Sequence, residues 1–246
     1  MNKKITQHIL HQTSDIYNAI APEFSNTRSR WWRGFGDFNK FVRPGDKVLD
    51  VGCGNGRMAS VFASSHIKYL GVDASAELIK IASNRFKDCN WTEFIAGDVL
   101  AIENWKLKNE NYDLALMIAV LHHIPSRELQ LQALKNICVL LRPGGKLIIY
   151  NWNLFSAKWF KLYYKYIFNY RQKLGQYKIW SLRDAFIPWK LKDNWQPRYI
   201  HTFSKRELRK LLISAGFKVD DIYYEFKGQK RSILGGSNLV AIARKK

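Results

Sequence analysis

The sequence predicts an α/β fold built on a mostly parallel sheet. Two observations predict it: short apolar runs end in an acidic residue or a glycine around residues 48–56, 69–73 and 94–98, and such runs alternate with helical patterns through residue 150. Alternation of that kind builds parallel sheet, because each crossover helix returns the chain to the same end. The 246 residues fit one such unit, 1–246, with an insertion at 151–198.

The first strand, Val48-Leu49-Asp50-Val51, runs into Gly52-Cys53-Gly54-Asn55-Gly56, with glycines at alternate positions. Glycine has no Cβ and tolerates positive φ, so backbone here can come within contact distance of a ligand. A dinucleotide fingerprint needs G-x-G-x-x-G; here the third glycine comes one residue early and Asp50 precedes the first, which points away from NAD. Tyr69-Leu70-Gly71-Val72-Asp73 reads as a second buried strand ending in a carboxylate, where a ribose diol is accepted. Phe94-Ile95-Ala96-Gly97-Asp98 is a third strand and Tyr112-Asp113-Leu114-Ala115-Leu116-Met117 a fourth. The run from Leu140 through Arg142-Pro143-Gly144-Gly145-Lys146 to Tyr150 is a helix end, a turn and a fifth strand. Later, Ser204 with Glu207 reads as a helix N-cap with a capping-box glutamate, and Gly216 stops the helix. Strands at 217–224 and 238–243 close the chain around a basic, glycine-rich turn at 227–236.

Charge is the second signal. Net charge is +20 and pI about 9.9, which suits a polyanionic partner, although a basic surface can also bind nothing specific. The excess concentrates in 151–198, where Lys158, Lys161, Lys165, Arg171, Lys173, Lys178, Arg183, Lys190, Lys192 and Arg198 face only Asp184 and Asp193. Trp159, Leu162, Tyr163, Tyr166 and Tyr170 recur at intervals of three and four, so 156–170 reads as an amphipathic helix with a basic face. Aromatics between cations suit stacking on bases beside phosphates. They equally suit docking on the core, or lying on an anionic membrane. Cys53, Cys89 and Cys138 form no C-x-x-C pair and no even disulfide framework, which fits a reducing compartment, and no metal site is indicated. No apolar run reaches the length of a membrane span, and a cytoplasmic location without membrane insertion is the expectation.

The acidic-glycine loop, the two strand-end carboxylates and the Arg-Pro-Gly-Gly turn, in this order, resemble the class I methyltransferases that use S-adenosyl-L-methionine. The resemblance implies a Rossmann-like, seven-stranded, mostly parallel sheet with helices on both faces, an antiparallel edge hairpin and a small helical insertion after strand 5. Within that superfamily, Ile16-Tyr17-Asn18, Phe24-Ser25-Asn26-Thr27-Arg28, Ala119-Val120-Leu121-His122-His123 and Arg198-Tyr199-Ile200-His201 are similar to the tRNA wobble-uridine methyltransferases, which esterify 5-carboxymethyluridine. The similarity spans most of the chain.

The resemblance implies a cofactor set of Tyr17, Arg28, Asp50, Gly52, Cys53, Gly54, Asp73, Ala74, Asp98, Val99 and Ile118. In it, Asp50 and the loop amides hold the methionine part, Arg28 its carboxylate, Asp73 the ribose and Asp98 the adenine amino group. It also implies tRNA as a partner, with a small activator subunit as a second. A carboxylate acceptor is ionised at neutral pH and needs no general base, so catalysis is mainly positioning, worth roughly 7 to 11 kcal/mol. One cation or donor must orient the acceptor. The catalytic candidates are His122, His123, Arg198 and His201; a histidine after strand 4 can also be purely structural, and Arg198 and His201 can simply anchor the returning insertion. The rival function is methylation of an apolar small molecule, a quinone or lipid, with the aromatic insertion as its lid.

Overall fold

A computed structural model describes residues 3–28, 38–105, 111–160, 183–191 and 194–246. Five parallel strands form the first part of the sheet: β1 (Lys47–Val51), β2 (Lys68–Asp73), β3 (Thr92–Ala96), β4 (Tyr112–Ile118) and β5 (Leu141–Trp152). Strands β6 (Asp184–Leu191) and β7 (Asn194–His201) stand apart, and β8 (Phe217–Phe226), β9 (Gln229–Arg231) and β10 (Asn238–Lys245) complete the sheet. Its order is β3-β2-β1-β4-β5-β10-β8-β9, with β10 antiparallel to both β5 and β8. The helices are α1 (Lys3–Ala19), α2 (Ala21–Thr27), α3 (Ala76–Arg85), α4 (Arg127–Leu140) and α5 (Lys205–Ser214).

Local sequence explains these boundaries. β1 and β4 are apolar almost throughout, as a parallel strand covered on both faces must be. One sheet face packs Leu49, Ala115 and Leu147 against Leu134 of α4 and Leu211 of α5; the other packs Val48, Leu116 and Ile148 with Phe38 and Phe62. Each of three helices begins at a serine hydroxyl that accepts a backbone N–H of the first turn: Ser75 from Leu78 at 3.2 Å, Ser126 from Leu129 at 3.4 Å and Ser204 from Glu207 at 3.2 Å. The Glu207 carboxylate returns the bond to the Ser204 N–H, completing the expected capping box.

The structure departs from expectation in two places. The insertion is helical at residues 157–160, but the expected helix to Tyr170 lies mostly outside the described residues. Its returning half is an antiparallel ribbon, β6 with β7, in which Pro188 faces Pro197. Alternation splits the ribbon's faces: Ala185, Ile187 and Ile200 pack with Leu154 beyond β5, while Phe186 and Tyr199 pack with Ile9 of α1. Second, the sheet has eight strands, because the basic turn doubles back as β9. Lys227 and Gly228, at φ of 50° and 79°, make the mirror-image turn that suits a tight hairpin.

Candidate active site

The carboxyl ends of the parallel strands share one edge, where an open α/β sheet places its ligand. Gly52, at φ 72°, could not be another residue: a Cβ there would stand 2.2 Å from Val120 Cγ2. The chain leaving β1 therefore lies flat against the segment leaving β4. Asp73, at the end of β2, accepts the Gly54 N–H and the Ser75 N–H, both at 2.8 Å, so its carboxylate is locked between the glycine loop and the start of α3. Asp50 is 1% exposed. Its Oδ2 accepts the Tyr69 hydroxyl at 2.5 Å, and its Oδ1 has no partner among the described residues. Burial raises its pKa to about 7, against the Tyr69 hydrogen bond and with help from the charge of Asp73.

These groups floor a cavity of about 1350 Å³, roofed by α1 and closed at one side by β7. All of Tyr17, Arg28, Asp50, Gly52, Cys53, Gly54, Asp73, Ala74, Asp98, Val99 and Ile118 line it. Cys53 is buried and its thiol is pushed well above the ordinary range by burial and by Asp73 and Asp50, so it stays protonated. Arg28 is drawn down to about 10 by burial and by the charges of Arg57 and Arg198.

Among the catalytic candidates, the structure brings together His123 and Arg198. The Tyr17 hydroxyl donates to His123 Nε2 at 2.9 Å, and His123 Nδ1–H donates to the Tyr199 carbonyl at 2.9 Å. This fixes the tautomer, and burial with the nearby Arg198 charge lowers the pKa of His123 to about 3. Arg198 Nη1 donates to the Tyr17 hydroxyl at 3.3 Å. The guanidinium lies 4.7 Å from the Trp189 ring centroid and 5.4 Å from that of Trp152. Arg198 is 3% exposed, its Nε lacks a partner, and no carboxylate pairs with it among the described residues.

His122 and His201 are absent from the cavity wall, and each has a physical reason. His122 is fully buried behind His123, with Nδ1 accepting the Trp152 N–H at 3.3 Å. Its pKa falls well below the ordinary value through burial and the neighbouring cations. His201 donates from Nδ1 to Asp184 at 2.7 Å and from Nε2 to Glu207 at 3.1 Å. Burial lowers its pKa, but the two carboxylates prevail and raise it to about 9, so it is a buried imidazolium tying the ribbon to α5.

Sequence reasoning missed Arg57, Trp152 and Asn238, which also line the cavity, and Trp189 beside it. For two of them a signal existed: Arg57 follows the third glycine directly, and Trp152 ends a parallel strand at the ligand edge. Trp189 and Asn238 carried none.

The donor set fits S-adenosylmethionine: an orphaned buried carboxylate oxygen at Asp50 suits its ammonium group, a locked Asp73 suits its ribose, and the glycine cradle admits it. Comparison with known proteins agrees. Residues 14–222 match a methyltransferase domain family. The tRNA (carboxymethyluridine(34)-5-O)-methyltransferase of Saccharomyces cerevisiae is 33% identical over 176 residues, 72% of this chain and 55% of that protein. Its Schizosaccharomyces pombe counterpart is 27% identical over 230 residues, 85% of this chain and 90% of that one. The chain spans only 28% of another relative, the bovine "probable tRNA methyltransferase 9B", at 32% identity over 140 residues, 56% of this chain. Among solved structures, an S-adenosylmethionine-dependent methyltransferase from Methanosarcina mazei superposes with a TM-score of 0.66 at 20% identity, covering 86% of this chain and 97% of that one. A chain from the complex between the Haloferax volcanii Trm112 methyltransferase activator and a putative methyltransferase gives 0.63 at 16%, covering 93% and 96%. With the fold, a cradle that fits the cofactor and a family match over most of its length in agreement, the chain belongs to the methyltransferase domain family.

Proposed function

We propose that the chain methylates a carboxylate oxygen, that of a carboxymethylated wobble uridine in tRNA. The observation that carries this reading is Arg198: a buried cation on the cavity wall, with a donor to spare and no acidic partner among the described residues. Such a group is costly to bury unless a ligand supplies the anion. A guanidinium matches a carboxylate geometrically and can grip one oxygen while leaving the other to attack.

The rest of the wall supports the same chemistry. S-adenosylmethionine, when bound, supplies an electrophilic methyl on a sulfonium. Tyr17 holds the Arg198 guanidinium from below, and His123, its Nε2 already accepting from Tyr17, is held neutral and spends both ring nitrogens on orientation. His123 therefore has no free nitrogen to take a proton, which matches an acceptor that is already an anion. α1 and the ribbon pack together over one side of the cavity. A buried cation with no acidic partner among the described residues counts against an apolar quinone or lipid acceptor. The yeast relatives' names supply the nucleoside, and the Haloferax complex supports an activator subunit as partner. No helix among the described residues is long and apolar enough to cross a membrane.

The test is incubation with labelled S-adenosylmethionine and, separately, tRNA and lipid extract, with and without an activator subunit, followed by nucleoside analysis. Alkali-labile label on a wobble uridine is the expected outcome. Label confined to lipid, or alkali-stable label on a base, overturns the reading.

A further inference from the structure

We propose that the hairpin at residues 227–236, with Lys158 and Lys205 beside it, is the docking surface for the phosphate backbone of the RNA substrate. This rests on the reading of RNA as the acceptor. Topology places the hairpin: β8 runs parallel to β5, so Phe226 emerges at the same edge as the cavity. Asn238, which lines the cavity, pairs with Trp152 on one side and Glu225 on the other. The hairpin therefore springs from a strand two places from the cavity wall, about 10 Å at the usual strand spacing.

The hairpin is prebuilt, with its acidic group turned inward. Glu225 is 2% exposed and uses its carboxylate on the Gly228 N–H and on Asn238 Nδ2. Asn153, 1% exposed, donates through Nδ2 to the carbonyls of Ile233 and Gly236, both at 2.7 Å, and the Ala157 N–H donates to the Leu234 carbonyl at 2.9 Å. These bonds hold the loop against the start of the basic insertion. The cations that remain project outward and rest on rings: Lys230 on Tyr223 at 4.7 Å, Lys205 on Tyr224 at 5.1 Å, Lys227 on Phe226 at 5.5 Å and Lys158 on Trp159 at 5.6 Å. Lys230 is paired with Asp221 at 2.7 Å; Lys158, Lys205, Lys227 and Arg231 have no ion pair among the described residues. Cations on both faces of a rigid edge, next to the cavity, complement the phosphates that flank an acceptor nucleotide entering it. Backbone held in advance also lowers the ordering cost of docking.

The experiment uses the full chain carrying Lys227→Gln, Lys230→Gln and Arg231→Gln together. tRNA affinity is titrated between roughly 50 and 200 mM salt, where three lost phosphate contacts flatten the logarithmic salt slope by about 2. The wild type should then lose about 20-fold more affinity than the variant across that range. S-adenosylmethionine affinity, unchanged, reports an intact fold. A variant with the wild-type slope overturns the hairpin proposal alone. A wild type that neither binds nor methylates tRNA overturns the acceptor reading together with it. Cosedimentation of the wild type with anionic phosphatidylserine vesicles, lost in the variant while tRNA binding persists, reassigns the surface to a membrane.

Discussion

Replacing Arg198 with methionine should separate activity from stability. The substitution removes the charge and keeps an unbranched chain between Trp152 and Trp189. In the substrate complex it leaves a carboxylate without its buried partner, a loss of about 3 kcal/mol, or about a hundredfold in kcat/KM. In the free protein the balance runs the other way. Two ring contacts are lost at about 1 kcal/mol each and the hydrogen bond to Tyr17 at about 1 kcal/mol, but a guanidinium with no counter-charge among the described residues is no longer buried, a relief of several kcal/mol. Thermal unfolding without substrate should therefore show an unchanged or higher Tm, about 2 to 4 °C for each kcal/mol gained in a chain of this size. The assay pairs that scan with cofactor titration and initial rates at varied tRNA. A Tm that falls by about 5 °C or more together with lost cofactor binding would make Arg198 a structural strut. An unaltered kcat/KM would refute its role in orienting the acceptor.

Other consequences are as concrete. Asp50 should couple cofactor binding to pH: its carboxyl, raised to about 7, must ionise to meet an ammonium group, so affinity climbs as pH rises through 7 and levels off above it, and Asp50→Asn flattens the profile. The same raised pKa stabilises the free protein most below the ordinary carboxylate range, and that contribution disappears as pH rises through 7, which thermal scans across pH will register. His201, raised to about 9, adds stability that is complete below its ordinary value near 6.5 and is lost as pH climbs through 9; His201→Ala should cost about 3 kcal/mol in denaturant unfolding. Gly52→Ala meets both a left-handed φ and the Val120 methyl, and calorimetry should find no cofactor binding. Tyr17→Phe keeps the ring while freeing Arg198 and His123, so kcat/KM for tRNA should drop about fivefold, because one hydrogen bond is worth about 1 kcal/mol.

The cofactor half of the site was legible in the sequence because its constraints are local. A strand, an acid and alternating glycines state a backbone conformation outright, and Asp50, Gly52 and Gly54 line the cavity. The acceptor half was less legible because its meaning depends on distant partners. Proline cannot donate to a ladder, so Pro188 and Pro197 hide the ribbon in the sequence, yet a two-stranded ribbon is all edge and tolerates both. Nothing in the adjacent His122-His123 pair says which ring faces the ligand; the left-handed Ala119, at φ 62°, and the short helical turn after it decide that. His201 reads in the sequence as a candidate to orient the acceptor, because Asp184, seventeen positions earlier, becomes its neighbour only once the ribbon forms.

The last strand sits in the interior of the sheet. β10, residues Asn238–Lys245, is threaded between β5 and β8, so neither β8 nor its hairpin can join the first five strands until residues 238–245 have left the ribosome. Vectorial synthesis thus divides assembly in time. The glycine loop, Asp50 and Asp73 can form their parallel neighbourhood early, while the exposed edge of β5 waits for a partner about ninety positions downstream, at the slow end of loop closure. During that wait the apolar edge of β5 is open to wrong pairing, and the nascent chain is most in need of chaperone cover.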